Sequence, residues 1–327
     1  MKYDIYFHND FDGRASAAVM LAFLRGRGDD IEHYVPVKYD IIPKWLNEKF
    51  LTNHALFRDG RRSRHNPAII VDFPFHPQAA FWFDHHIRPF RKPVWGEKFK
   101  PDESHRFMPE YRSACHLVYD SLREGFGWKP PAHLRELVKW LDVIDFANYK
   151  SAKQTIEMKE AALQANVFIE SVSDDFAMTV ETIKFLATKS LSAFVKIPRI
   201  KKQVAALRRN MAAGLSFQKE NIKIDDRVMV VDITLDPTDD LAHFGPYYLY
   251  PKMMYLVRFH PFPRKPTLFH INVGSNPWRR AENKKNIGEL LQTYGGGGHK
   301  DVGGVEIQGK AATLRAVAKI TKFLNKK

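Results

Sequence analysis

The stretch Phe81-Trp82-Phe83-Asp84-His85-His86 decides how this chain is read. An apolar run so short, between Pro77 and Pro89, predicts a buried strand. A buried strand that ends in an acid and two imidazoles needs a reason, because polar groups buried without partners cost roughly 2–7 kcal/mol each. All three side chains are metal-ligand types, so the expectation is a divalent-metal site at the open end of a sheet.

The same pattern recurs upstream. Residues 3–7 alternate as a strand and run into His8-Asn9-Asp10-Phe11-Asp12-Gly13, and a helix is expected from Arg14 to Arg25, ended by Gly26. Carboxylates two apart in an extended segment project to one side, so Asp10 and Asp12 are expected to face a common cation. Ala68-Ile69-Ile70-Val71 is a further β-branched run that stops at Asp72. Successive strands that deliver acids or histidines at their C-terminal ends match the ligand-binding edge of an open parallel α/β sheet.

Further along, helices are expected over 113–124 and 132–146. Cys115 and His116 read as core residues of the first. Asp142 and Asp145, three apart, share a face of the second, and either one can extend the metal site. Arg58, Arg61, Arg62 and Arg64 read as a solvated face. Residues 155–215 are read as helices at about 155–171, 174–188 and 198–215, the last a connector. Strands then recur from Val228. Gly295 to Gly298 precede His299 in a run read as neither helix nor strand, but as a backbone nest for an anion. Gly296, Gly297, Gly298, His299, Arg279 and Arg280 are the candidate phosphate-binding residues, with Arg258 and His260 as weaker ones.

The chain has 327 residues, a net charge of +14 and one cysteine. An internal disulfide framework is excluded, which points to a reducing compartment and a cytoplasmic location. No apolar run approaches the ~20 residues of a membrane span, so no membrane partner is expected. The charge favours a phosphate-bearing partner.

Taken together, HNDFDG at 8–13, VDF at 71–73, FDHH at 83–86, WLDVID at 140–145 and GGGGHKDVGG at 295–304 resemble the DHH phosphoesterase superfamily and its associated C-terminal domain. HNDFDG and GSNPW at 274–278 resemble the nano-RNA-degrading, oligoribonuclease branch most. The resemblance implies an α/β chain: a parallel-sheet DHH domain over 1–190, a helical linker over 191–221 and a smaller C-terminal α/β domain over 222–327, with the active site in the cleft between the domains. It implies two metal ions, usually Mn2+, with Mg2+ or Co2+ as substitutes. Asp10, Asp12, Asp72, His85 and one of Asp142 and Asp145 are then the ligands, with Asp72 bridging. His8 is an additional ligand or supports one, and Asp84 and His86 orient the site or touch substrate. Many relatives carry an arginine where this chain has Ser275-Asn276, a departure that Arg279 or Arg280 would make good.

The implied activity is two-metal hydrolysis of short oligonucleotides or of 3′,5′-bisphosphonucleosides such as pAp. A cyclic dinucleotide phosphodiesterase is the alternative within the family, and a non-catalytic nucleic-acid-binding protein the alternative outside it. A full set of acids favours catalysis over binding alone. A homodimer is compatible with the reading.

Overall fold

The computed structural model describes residues 1–51, 66–235 and 242–326. Arg58, Arg61, Arg62 and Arg64 lie outside the described residues. The chain divides into two compact units, one of residues 1–148 and 159–204, the other of 149–158 and 205–327.

The first unit contains β1 (Lys2–His8), α1 (Phe11–Gly26), β2 (Asp30–Val37), α2 (Ile42–Trp45), β3 (Ala68–Val71), β4 (Ala79–Asp84), α3 (Pro93–Lys98), β5 (His105–Phe107), α4 (Ala114–Gly125) and α5 (Ala132–Asp145). After α6 (Ala152–Glu157), which belongs to the second unit, come α7 (Ala161–Ser171), α8 (Phe176–Leu186) and α9 (Leu191–Phe194). Helix α10 (Pro198–Asn221) runs from one unit into the other. The region expected as one helix from 155 is broken at Met158, a left-handed residue (φ 44°) that ends α6.

The first sheet has strand order β2-β1-β3-β4-β5, and every pairing in it is parallel. The central strands β1, β3 and β4 carry runs buried on both faces, as parallel strands covered by helices must. Ile5, Phe7, Ile69, Val71, Phe81 and Phe83 pack with α1, α4 and α5 on one side. Tyr6, Ile70 and Trp82, one residue out of phase, pack with Trp45, Phe73, Phe75 and Trp95 on the other. The three aromatics of β4 are therefore core, and Trp82 donates its indole N–H to the Phe73 carbonyl at 2.9 Å. Because the strands are parallel, His8, Asp72 and Asp84 emerge at the same edge. The chain passes from β1 to β2 on one side and returns to β3 on the other, so that edge holds a topological switch point between β1 and β3.

The second unit adds β6 (Lys223–Asp225), β7 (Val228–Asp232), α11 (Gly245–Leu249), β8 (Tyr255–Phe262), β9 (Lys265–Ser275), α12 (Ile287–Gln292), β10 (Gly297–Gly298), β11 (Val302–Gln308) and α13 (Lys310–Asn325). Its sheet, order β10-β11-β9-β8-β7-β6, is mixed: β7 and β8 are parallel and the other pairs antiparallel. The architecture is thus α/β, a parallel sheet followed by a mixed one. Among the described residues no helix is long and apolar enough to cross a membrane.

Candidate metal and active site

The β1–α1 turn is held from below and from the side. Gly13 has no room for a side chain, since a Cβ there would lie 2.1 Å from the His8 carbonyl oxygen. Arg14, fully buried, donates to Asn9 Oδ1 (2.9 Å) and to the Ile169 carbonyl near the end of α7 (3.2 Å). A cation at that helix end also opposes the negative pole of its dipole. These contacts fix where His8, Asp10 and Asp12 stand.

The two aspartates do not share an extended segment, because α1 already begins at Phe11. Asp10 is its N-cap and accepts from the Gly13 N–H at 2.9 Å. Asp12 lies in the first turn and accepts from the Ala114 and Cys115 N–H groups at 2.6 and 3.0 Å, the N-terminus of α4. They enter different ligand groupings: His8, Asp10 and Asp72 form one, Asp12, His85 and Asp145 another, and Asp72 with His85 and His86 a third.

Asp72 stands between these groupings. Its Oδ2 is 3.7 Å from His8 Nδ1 and its Oδ1 3.7 Å from His85 Nε2. The residue is in the left-handed region (φ 56°), a conformation that aspartate tolerates better than most but that still stores strain. Both carboxylate oxygens are buried and make no hydrogen bond. Burial first, then the charges of Asp10, Asp12, Asp145 and Asp84, hold its carboxyl well above the usual range.

His85 faces the same need. Its Nδ1 is 3.0 Å from the Tyr111 carbonyl, which can only accept, so Nδ1 carries a proton and Nε2 is the atom left for a metal. That buried Nε2 has no hydrogen-bond partner and faces Asp145 Oδ2 at 3.5 Å and Asp12 Oδ2 at 3.7 Å. Carboxylates gathered this closely repel one another unless a cation lies among them. The donor set, carboxylate and imidazole without thiolate, is that of Mn2+ or Mg2+ rather than of a structural zinc site, and it fits such a metal.

Asp84 is fully buried and accepts at Oδ1 from His86 Nδ1 (2.8 Å) and the His86 N–H (3.2 Å). Burial lowers the His86 pKa, but the bond to Asp84 and the surrounding carboxylates outweigh it and raise it on balance. Asp142 and Asp145 part company. Asp142 is engaged by Ser113 Oγ (2.8 Å) and His116 Nδ1 (2.7 Å), whereas Asp145 joins Asp12 and His85. His116 is therefore not a core residue but a half-buried bridge from α4 to α5, while Cys115 is fully buried. Asn9, Arg14, Tyr111, Ser113 and His116 were not legible as site residues: Asn9 lies within HNDFDG and Arg14 directly after it, while Tyr111, Ser113 and His116 belong to no motif.

The glycine run in the second unit differs from the nest expected of it. Gly297 and Gly298 form β10 and pair with Gly304 and Gly303. The N–H groups of Gly295, Gly296 and His299 donate to the Gln292, Leu291 and Val302 carbonyls, so they are spent on backbone. A Cβ on Gly296 would lie 2.3 Å from the Gly304 oxygen, and one on Gly288 of α12 2.5 Å from the Gly298 oxygen. These glycines let backbone approach backbone. The His299 side chain is exposed. Arg279 is held by Glu282 and the Lys252 carbonyl, and Arg280 is exposed. Ser275 donates to Asp301 at 2.9 Å and Asn276 to the Met253 carbonyl at 2.9 Å, which accounts for both as structural residues. Arg258 contacts His243 Nδ1 at 2.9 Å, and the His260 ring lies against His270.

Among solved structures, a pGpG-specific phosphodiesterase, PggH, from Vibrio cholerae superposes with a TM-score of 0.72 over 99% of each chain at 18% identity. The chain has the same fold. RecJ from Thermus thermophilus in complex with Mn2+ matches with a TM-score of 0.56 at 13% identity, covering 99% of this chain and 52% of RecJ. The chain thus spans about half the length of that RecJ. The Mg2+ complex of Thermus thermophilus RecJ matches with a TM-score of 0.53 at 13% identity, over 99% of this chain and 49% of that one. No protein-family model matches the sequence, and no curated protein matches it.

Proposed function

We propose that this chain is a metal-dependent phosphodiesterase that hydrolyses short linear oligonucleotides, with Mn2+ as its working ion. One observation carries the reading: His85 Nε2 and both Asp72 oxygens converge, buried and without hydrogen-bond partners, with Asp12 and Asp145 beside them. An arrangement so costly to an empty fold is suited to divalent cations. One ion would be held by Asp12, His85, Asp145 and Asp72 Oδ1, a second by His8, Asp10 and Asp72 Oδ2. When bound, the pair supplies charge neutralisation at the phosphoryl group and a water acidified to a pKa of about 7.

The chain's own residues do the rest. The α4 N-terminus holds the Asp12 carboxylate, and the Tyr111 carbonyl sets the His85 tautomer. Asp84 accepts from His86 Nδ1 and helps raise its pKa, which favours the imidazolium, whose Nε2–H can donate to a phosphate oxygen. The basic charge of the chain draws the substrate in. The shared fold with a pGpG-specific phosphodiesterase supports a linear dinucleotide as the smallest substrate, as does the HNDFDG motif.

The test uses metal-stripped protein with pGpG, a five-residue oligoribonucleotide, pAp and cyclic di-AMP, with and without Mn2+. Mn2+-dependent cleavage of pGpG and the oligoribonucleotide is expected. Cleavage of cyclic di-AMP alone would overturn the substrate class, and no cleavage of any of the four would overturn the enzyme.

A further inference from the structure

Two arginine–aromatic pairs flank the ligand cluster in the first unit, and neither has been used so far. Tyr39 follows β2, is 39% exposed, and lies 5.2 Å from the His8 ring and 6.3 Å from that of His86. The Arg91 guanidinium lies over the Tyr39 ring at 5.5 Å. Phe146 directly follows Asp145, is 52% exposed, and carries the Arg112 guanidinium at 5.6 Å. Arg112 is next to Tyr111, whose carbonyl holds His85.

The pairs stand by different ligand groupings: the Tyr39 ring lies 5.2 Å from that of His8, which groups with Asp10 and Asp72, and Phe146 follows Asp145, which groups with Asp12 and His85. Tyr39 leaves β2, one outer strand, and Arg112 follows β5, the other, while the ligands leave β1, β3 and β4 between them. Of the neighbouring cations, Lys38 pairs with Asp174, Lys92 with Glu48 and Arg106 with Glu124, while the exposed Arg88 makes no ion pair among the described residues. Among the described residues Arg91 and Arg112 make no ion pair, and each is laid instead on an exposed ring. Such a surface suits bases, which stack on rings and guanidinium planes, and phosphates, which the guanidinium binds through two N–H groups.

We propose that the Tyr39–Arg91 and Phe146–Arg112 pairs are two platforms that hold a single-stranded oligonucleotide across the strand ends, one on each side of the scissile phosphate. The proposal rests on the phosphodiesterase reading of the same site and explains why that site would prefer an oligomer to a mononucleotide.

The test reads binding without turnover. Anisotropy of a fluorescein-labelled five-residue oligoribonucleotide is measured on metal-stripped protein in EDTA at several salt concentrations, with labelled AMP as the short probe. Arg91→Gln and Arg112→Gln are each expected to weaken the oligomer about tenfold and to lower its salt slope by about 0.7. Phe146→Leu is expected to weaken it similarly with the slope unchanged. Arg112→Lys, which keeps the charge but not the planar fork, is expected to retain the slope and lose affinity. The double variant Arg91→Gln/Arg112→Gln should bind the oligomer scarcely better than AMP. Thermal melts identify any variant that fails to fold, and the lysine variant then stands in for it. Wild-type affinity and slope in both glutamine variants would overturn the platforms. Length-dependent binding lost in the variants, in a protein that cleaves nothing with Mn2+, would sustain the platforms and overturn the enzyme reading instead.

Discussion

Asp72→Asn is the substitution that tests the site most directly, because the structure predicts opposite effects with and without metal. In the metal-free protein Asp72 is 1% exposed, both its oxygens lack partners, and Asp10, Asp12, Asp84 and Asp145 surround it. Burial and these neighbours raise its pKa, so at pH 7 the fold either holds an unpaired charge or takes up a proton against the solvent pH. The amide removes that charge at nearly constant volume and brings two donors toward acceptors that lack them. A buried unpaired ion costs several kcal/mol after relaxation, and asparagine leaves part of that in place, so a gain of about 2 kcal/mol is expected. In a unit of this size that raises Tm by about 4–8 °C. With Mn2+ the order inverts. At a hundred times Kd the wild type gains about 2.7 kcal/mol. If losing the shared carboxylate weakens Mn2+ a hundredfold, the variant gains only about 0.4 kcal/mol at the same concentration. The assay is a thermal melt of both proteins in EDTA and again in Mn2+, on protein freed of metal by chelation. A variant less stable than wild type in EDTA, or one with an undiminished Mn2+ shift, would refute the reasoning.

Other outcomes follow from the same geometry. Asp145→Asn is expected to weaken Mn2+ at least tenfold in calorimetric titration, whereas Asp142→Asn, whose carboxylate is held by Ser113 and His116, should shift it less. The His116 pKa is raised, chiefly by its bond to Asp142. Its contribution to stability is therefore full below the unfolded value near 6.5 and lost as pH rises through the folded value; NMR titration of Asp142→Asn should show that pKa fall. Gly13→Ala forces a Cβ to 2.1 Å from the His8 oxygen and is expected to cost about 1–3 kcal/mol, read as a lower Tm, with loss of Mn2+ binding. Gly296→Ala should disrupt the glycine hairpin, while Gly297→Ala, with nothing within 4 Å of its Cβ, should fold normally. A folded Gly297→Ala protein that had lost the oligonucleotide would restore a backbone–ligand role for that loop.

Sequence by itself determined the elements whose signal is local. Apolar runs that stop at His8, Asp72 and Asp84 mark strand ends, and parallel α/β topology places such ends at one edge. The short apolar run of β4 marked Phe81, Trp82 and Phe83 as core, because successive residues of a doubly covered strand are all buried. Tertiary structure alone decided what depends on a neighbour. Asp142 and Asp145 are equivalent by helical spacing, and only α4, bringing Ser113 and His116 alongside, draws one of them aside. Asp10 and Asp12 separate because α1 begins between them and α4 presents its N-terminus to the second. The glycine run suggests a ligand until Gly304 and α12 are found against it. Tyr39, Arg91, Arg112 and Phe146 belong to no motif, and it is packing that lays each guanidinium on its ring beside the candidate ligands. A sequence records which groups can bind a cation. Which of them face one another is set by packing among residues up to 164 positions apart, as the Asn9 bond to the Ser173 carbonyl illustrates.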